Sequence, residues 1–255
     1  MKRKQFVLVY DSGIGGLTTL SNLIKTAKGL NYIYFADTQN SPYGNKCKTK
    51  LQEIVINNIK ALQNQYIISH IVLACNTATT ITIDYLRKNL NIPIIGTEPN
   101  IKSPIKNGAK NIMVLSTPLT SQSKRLKELE NETSFKFKNI GIKNLAKLIE
   151  NYQLNKNKQS LNEINLLINK TLTNSSVNTA IVLGCTHYVF IKSLIEKKGY
   201  TCYDGNQGVA NRLKAMTKDL QNPLSYKPIV HIITSNIRTT LKYKKILKSL
   251  LNKNK

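Results

Sequence analysis

Two cysteines stand at the ends of two matching apolar runs, Ile71-Val72-Leu73-Ala74-Cys75-Asn76-Thr77 and Ile181-Val182-Leu183-Gly184-Cys185-Thr186-His187. A short apolar run bounded by polar residues reads as a buried strand, so each thiol is expected at a strand's C-terminal end, where a helix begins. A single cysteine is most often core filling. Two of them in matched contexts, with Asn-Thr and Thr-His beside them, point to chemistry. A nucleophilic hydrolase needs one cysteine and a base, which leaves the second thiol unused. Two opposed thiols suit another task, taking a proton from one face of a carbon and returning one to the other, which is racemisation. A thiol of reference pKa about 8.5 is readily ionised near a helix N-terminus, and as a thiol it donates, so each group can take both roles.

The α-proton of an amino acid is very weakly acidic, so donors must also meet the developing carbanion. The turn Asp11-Ser12-Gly13-Ile14-Gly15-Gly16 brings backbone N–H groups to a helix start, where a carboxylate is favoured. Asn76, Thr77 and Thr186 supply further donors. Asp11 beside Cys75 reads as a proton relay or a partner for a substrate ammonium, and His187 serves similarly at Cys185 when a carboxylate orients it. The same glycine turn also invites comparison with a dinucleotide fingerprint, with Asp37 as the acidic residue ending the next strand. That match is poor, because Thr18 holds the third glycine position and Asp11 would set a negative charge beside a pyrophosphate.

These residues must be carried by strand ends. Residues 5–10, 31–36, the run to Cys75, 92–96, 111–115, 135–141, the run to Cys185, 200–203 and 228–234 read as strands, with helical stripes between them. Pro42-Tyr43-Gly44 is a turn after the second strand, at the same edge as Asp11 and Cys75. Thr117 with Pro118 is expected to start a helix over 121–132, a further helix to end near Glu150, and helices to run through Lys197 and from Gly208 to Leu220. Alternating strands and helices indicate an α/β protein with mainly parallel sheets flanked by helices, in which ligands meet the C-terminal strand ends. The cysteine echo predicts two similar lobes with the active site in the cleft between them.

The composition narrows the partners. At 255 residues and 41% hydrophobic content the chain can build one large or two modest domains. No apolar stretch reaches the roughly 20 residues of a bilayer span, so no membrane partner is expected. The run after Met1-Lys2-Arg3-Lys4 is too short for a signal peptide, which leaves the cytoplasm. Four cysteines are too few for a disulfide framework, and without a Cys-x-x-Cys pair no metal is expected. The formal charge of +25 comes from lysines scattered along the whole chain, a drift toward Lys, Asn and Ile; only Lys242 to Lys255 is concentrated, an amphipathic helix with a solvated lysine face. Non-specific polyanion attraction is then a side property.

Taken together, Asp11-Ser12-Gly13-x-Gly15-Gly16, Pro42-Tyr43-Gly44, Ala74-Cys75-Asn76-Thr77-Ala78 and Gly184-Cys185-Thr186-His187 resemble the glutamate racemases, and Glu98-Pro99, Thr117-x-x-Thr120 and Glu150 extend the resemblance in order. The resemblance implies cofactor-independent interconversion of L- and D-glutamate for peptidoglycan synthesis, with no cofactor. Cys75 would act on the D and Cys185 on the L enantiomer, Asp11 assisting the first, His187 and Glu150 the second. Ser12, Tyr43, Gly44, Asn76, Thr77 and Thr186, together with Asp11 and His187, would hold substrate. It further implies a discontinuous first domain, 1–96 plus 208–255, around a second domain, 97–207, and a homodimer is expected. Val189 stands where such racemases carry Pro, and Gly141-Ile142-Lys143-Asn144 lacks their Cys-Pro. The competing readings are a racemase of another acidic amino acid such as aspartate, and a basic nucleic-acid-associated protein on the same fold.

Overall fold

A computed structural model describes residues 4–220 and 226–252. The basic start at 1–3 and the last three residues of the lysine-rich tail lie outside the described residues. The chain divides into two compact units, one formed by the residues up to Thr97 together with those from Asn206 onward, the other by Glu98–Gly205.

The first unit opens with β1 (Gln5–Asp11), α1 (Gly16–Thr26), β2 (Tyr32–Ala36), α2 (Lys48–Gln63), β3 (Ile67–Leu73), α3 (Asn76–Asn89) and β4 (Ile94–Gly96). In the second unit follow α4 (Lys102–Lys106), β5 (Asn111–Ser116), α5 (Pro118–Ser121), α6 (Lys124–Thr133), β6 (Lys138–Gly141), α7 (Leu145–Asn155), α8 (Lys158–Leu172), β7 (Thr179–Gly184), α9 (Lys192–Glu196) and β8 (Thr201–Tyr203). The chain then returns to the first unit with α10 (Asn206–Met216), β9 (Val230–Thr234) and α11 (Thr240–Asn252).

Both sheets are wholly parallel. The first has the order β4-β3-β1-β2-β9 and the second β6-β5-β7-β8. Reversed, the second reads β8-β7-β5-β6, so four strands of each unit follow one another by the same path. In this correspondence β3 matches β7, and the two cysteine runs occupy the same strand of the same topology. The expected likeness of the halves is thus a property of the fold, with β9 as an added edge in the first unit.

Continuous apolar strands are what a sheet covered on both faces requires. Residues 6–11 of β1 and all of β2 and β7 are buried. Helices cover the sheets through stripes at helical spacing: Leu51, Val55, Ile59 and Leu62 from α2 are buried, as are Ile164, Ile168 and Leu172 from α8.

Several boundaries differ from the sequence reading. The helix expected over 121–132 is two helices, because Ser123 offers its side chain to Leu126 N and starts α6 anew, while Thr117 caps the short α5. The strand expected from 135 begins only at Lys138. Glu150 lies inside α7 rather than near its end, since Tyr152 prolongs the apolar stripe of Leu145, Leu148 and Ile149 against the core. Residues 186–191 form a 3₁₀ segment before α9.

Candidate active site

In each sheet the chain leaves the first strand for a neighbour on one side and later returns to the other side. That reversal falls between β1 and β3 in the first unit and between β5 and β7 in the second. Loops leaving such a pair of strand ends diverge, and the opening between them is where parallel sheets bind ligands. Asp11-Ser12 and Cys75 flank the first opening; Thr117 and Cys185 flank the second.

At the first opening Asp11 ends β1 with no exposed surface, its Oδ1 accepting from Gly13 N at 2.8 Å. The glycine turn is held from below by the Tyr34 hydroxyl, which donates to the Gly13 carbonyl. Glycine is required at position 16, because a Cβ there would stand 2.8 Å from Asp11 Cβ and 2.9 Å from Ala74 Cβ. That close approach sets the start of α1 against the ends of β1 and β3 at once. Ser12 Oγ lies 3.8 Å from Cys75 Sγ.

Cys75 is the N-cap of α3, and its sulfur accepts from Ala78 N at 3.5 Å. The helix N-terminus and this N–H both favour the thiolate. Asn76 reaches back to the Thr97 carbonyl at 3.3 Å, and Thr79 Oγ1 both donates to the Leu73 carbonyl and accepts from Thr97 N. Asn76 and Thr77 are buried beside the thiol.

Tyr43 lies in the 3₁₀ turn Tyr43–Asn45 and is buried, but its hydroxyl faces the protein. It donates to Asp37 Oδ2 at 2.6 Å and stands 2.7 Å from the Tyr10 hydroxyl. Asn58 Nδ2 donates to Tyr10 at 2.9 Å and to Asp37 at 3.2 Å. Burial, and then the charge of Asp37, raises the Tyr10 pKa, and burial leads the rise at Tyr43, so both phenols stay protonated as donors. Tyr10, Asp37 and Asn58 were not among the candidate site residues. Only the strand-end position of Asp37 signalled them, and the sequence reading weighed that residue for a different task.

At the second opening the arrangement differs. Cys185 is followed by 3₁₀ turns and makes no side-chain cap, so the long helix start that serves Cys75 is missing there. A histidine takes its place: His187 Nδ1 lies 3.9 Å from Cys185 Sγ, and Nε2 lies 2.6 Å from Glu150 Oε2. Burial alone would lower the His187 pKa, but its hydrogen bonds to Cys185 and Glu150 outweigh this and hold it well above the usual imidazole range. An imidazolium there donates from both nitrogens, to the carboxylate on one side and the sulfur on the other. Thr186 is buried beside it.

Thr117 Oγ1 donates to Thr120 Oγ1 at 3.0 Å and caps α5. Glu98 is taken up structurally: Arg125 donates from Nε and Nη2 to its two oxygens at 2.7 and 3.0 Å, and from Nη1 to Glu132. Gly44 lies in the same turn as Tyr43. Among the described residues, no group of three or more His, Cys, Asp and Glu side chains is gathered as a metal site requires.

The sequence profile of the Asp/Glu/hydantoin racemases matches residues 27–213. This chain belongs to that family. Over 228 residues it is 38% identical to the glutamate racemase of Leptospira interrogans, covering 88% of this chain and 86% of the relative. Its fold is similar to that of a glutamate racemase isoform from Bacillus anthracis, with a TM-score of 0.82, 26% identity and coverage of 97% of this chain and 94% of that one. It is likewise similar to the Escherichia coli glutamate racemase solved with L-glutamate and the activator UDP-MurNAc-Ala, with a TM-score of 0.81 and 25% identity over 97% of this chain and 95% of that one. The two openings differ in what surrounds each thiol: the start of α3 at Cys75, and His187 held by Glu150 at Cys185.

Proposed function

We propose that this chain is a cytoplasmic glutamate racemase that interconverts L- and D-glutamate by two-base proton transfer, supplying the D enantiomer for peptidoglycan. The observation that carries the chemistry is the matched pair of thiols, Cys75 after β3 and Cys185 after β7, at equivalent strand ends of two sheets with one topology. The likeness to glutamate racemases over most of the chain supports the substrate.

In the L to D direction the Cys185 thiolate takes the α-proton and becomes a thiol, while the electron pair stays on the α-carbon. The Cys75 thiol then gives its proton to the opposite face and is left as the thiolate. The reverse reaction exchanges the roles, and no electron is gained or lost. His187, charged and held by Glu150, lies against the Cys185 sulfur, and the N-terminus of α3 lies against the Cys75 sulfur. Asp11 would meet the substrate ammonium or relay the Cys75 proton. Ser12, Asn76, Thr77 and Thr186, with backbone N–H groups of the glycine turn and of the Tyr43-Gly44 loop, would hold the carboxylates. The Tyr43 hydroxyl, engaged by Asp37, acts by fixing that loop. A homodimer is part of the proposal, read by light scattering of the purified protein.

Polarimetry without added cofactor tests the substrate. L-glutamate loses its rotation completely, and L-aspartate, one methylene shorter, turns over about 10–100-fold more slowly. Equal or faster turnover of aspartate would reassign the substrate, and no turnover of either would remove the racemase reading.

A further inference from the structure

The strongest feature outside the two openings is the outward face of α11. After Asp219 the chain contains no acidic residue. The described part of this stretch carries Lys227, Arg238, Lys242, Lys244, Lys245 and Lys248. Leu241, Lys244, Lys245 and Lys248 are three or four positions apart and therefore share one helix face. All four are exposed. At the N-terminal end of that face, Leu241 is 70% exposed, and Ile237, in the 3₁₀ turn just before α11, is 84% exposed. The opposite face is anchored: Tyr243 and Leu247 are buried, and Lys25 Nζ donates to the Leu250 carbonyl at 3.0 Å.

Two exposed apolar side chains beside the exposed Arg238, Lys244, Lys245 and Lys248 form a surface with a definite preference. A second copy of the same face would set lysine against lysine, which a two-fold contact cannot avoid. A nucleic acid would satisfy the cations but leave Ile237 and Leu241 in water. An anionic phospholipid surface satisfies both, with phosphates meeting the lysines and the two apolar side chains entering the headgroup boundary. The first turn of α11 holds no acidic residue, so the positive helix N-terminus adds to the attraction beside the apolar pair. No described helix is long and apolar enough to cross a bilayer, and peripheral binding requires none.

We propose that the face formed by Ile237, Arg238, Leu241, Lys244, Lys245 and Lys248 docks this protein reversibly on anionic phospholipid membranes. The test is co-sedimentation of the full chain with phosphatidylglycerol-containing vesicles and with pure phosphatidylcholine vesicles, alongside heparin binding and light scattering. Wild type pellets with the anionic vesicles only. Ile237→Ser with Leu241→Ser, at unchanged charge, weakens vesicle binding about tenfold while leaving heparin binding as it was. Lys244→Gln with Lys245→Gln weakens vesicle binding on the order of tenfold or more. Circular dichroism and racemase turnover of both variants match wild type. Failure of wild type to bind anionic vesicles overturns the proposal. So does equal vesicle binding by the Ile237/Leu241 variant, which would make the face a general polyanion site. A change of oligomeric state in that variant also overturns it, because the apolar pair would then belong to a contact between copies.

Discussion

His187 Nε2 lies 2.6 Å from Glu150 Oε2, with the histidine buried and the carboxylate only partly so. The contact joins the middle of α7 to the turn after β7, and it fixes which way the imidazole faces Cys185. Removing the charge of Glu150 therefore reaches the thiol through the ring.

Glu150→Gln is expected to lower the His187 pKa and to reduce kcat/KM on the order of 100-fold. The loss must be equal in both directions, because the equilibrium constant between enantiomers is one. A raised imidazole pKa contributes stability that is fully present below the unfolded value of 6.5 and is lost as pH rises through the folded value. The stability gap between wild type and Glu150→Gln, about 1–3 kcal/mol at its widest, should accordingly shrink on the alkaline side. Urea unfolding across pH and NMR titration of the ring check both parts.

Asp37→Asn tests the buried hydroxyl network behind the first opening. The variant weakens the charge-assisted bond from Tyr43 and loosens the turn at Tyr43–Asn45, at a cost of about 1–3 kcal/mol. If the turn positions substrate, KM rises more than kcat falls, which steady-state kinetics on both enantiomers reads directly.

Gly16→Ala places a methyl group against Asp11 and Ala74, which lie at the bases of both functional loops of the first unit. We expect about 1–3 kcal/mol of destabilisation from overpacking, with turnover falling further than stability does. Thermal unfolding beside kinetics separates the two effects.

The four thiols should react in a definite order. Cys47 is exposed, and the backbone N–H of Lys50, followed by Thr49, lowers its pKa; burial pushes the Cys202 thiol up to about 12. Iodoacetamide followed by mass mapping should find Cys47 modified first and Cys202 last. Cys47→Ser leaves turnover unchanged within about twofold, as expected of a surface position.

Much of this arrangement was readable before the structure. The cysteine runs carry enough apolar residues to identify their strands, and their repetition foretold two sheets built alike. What escaped the sequence depended on competition or on distance. Thr186-His187-Tyr188-Val189-Phe190 holds β-branched and aromatic residues of modest helix propensity, and 3₁₀ turns form there instead of the expected helix. Ser123 competes as a cap in what reads as one continuous helix. Tyr10, Tyr43, Asn58 and Asp37 come from four separate parts of the chain, and their meeting depends on strand register, which periodicity does not reveal.

The central claim is that two thiols act on opposite faces of one carbon, and it is tested most directly by the fate of the α-proton in D2O. Starting from L-glutamate, the D-glutamate formed early should carry deuterium while recovered L-glutamate keeps its proton, and Cys75→Ser and Cys185→Ser should each abolish inversion. Deuterium appearing equally in both enantiomers from the start, or either serine variant racemising at the wild-type rate, would contradict the two-thiol account.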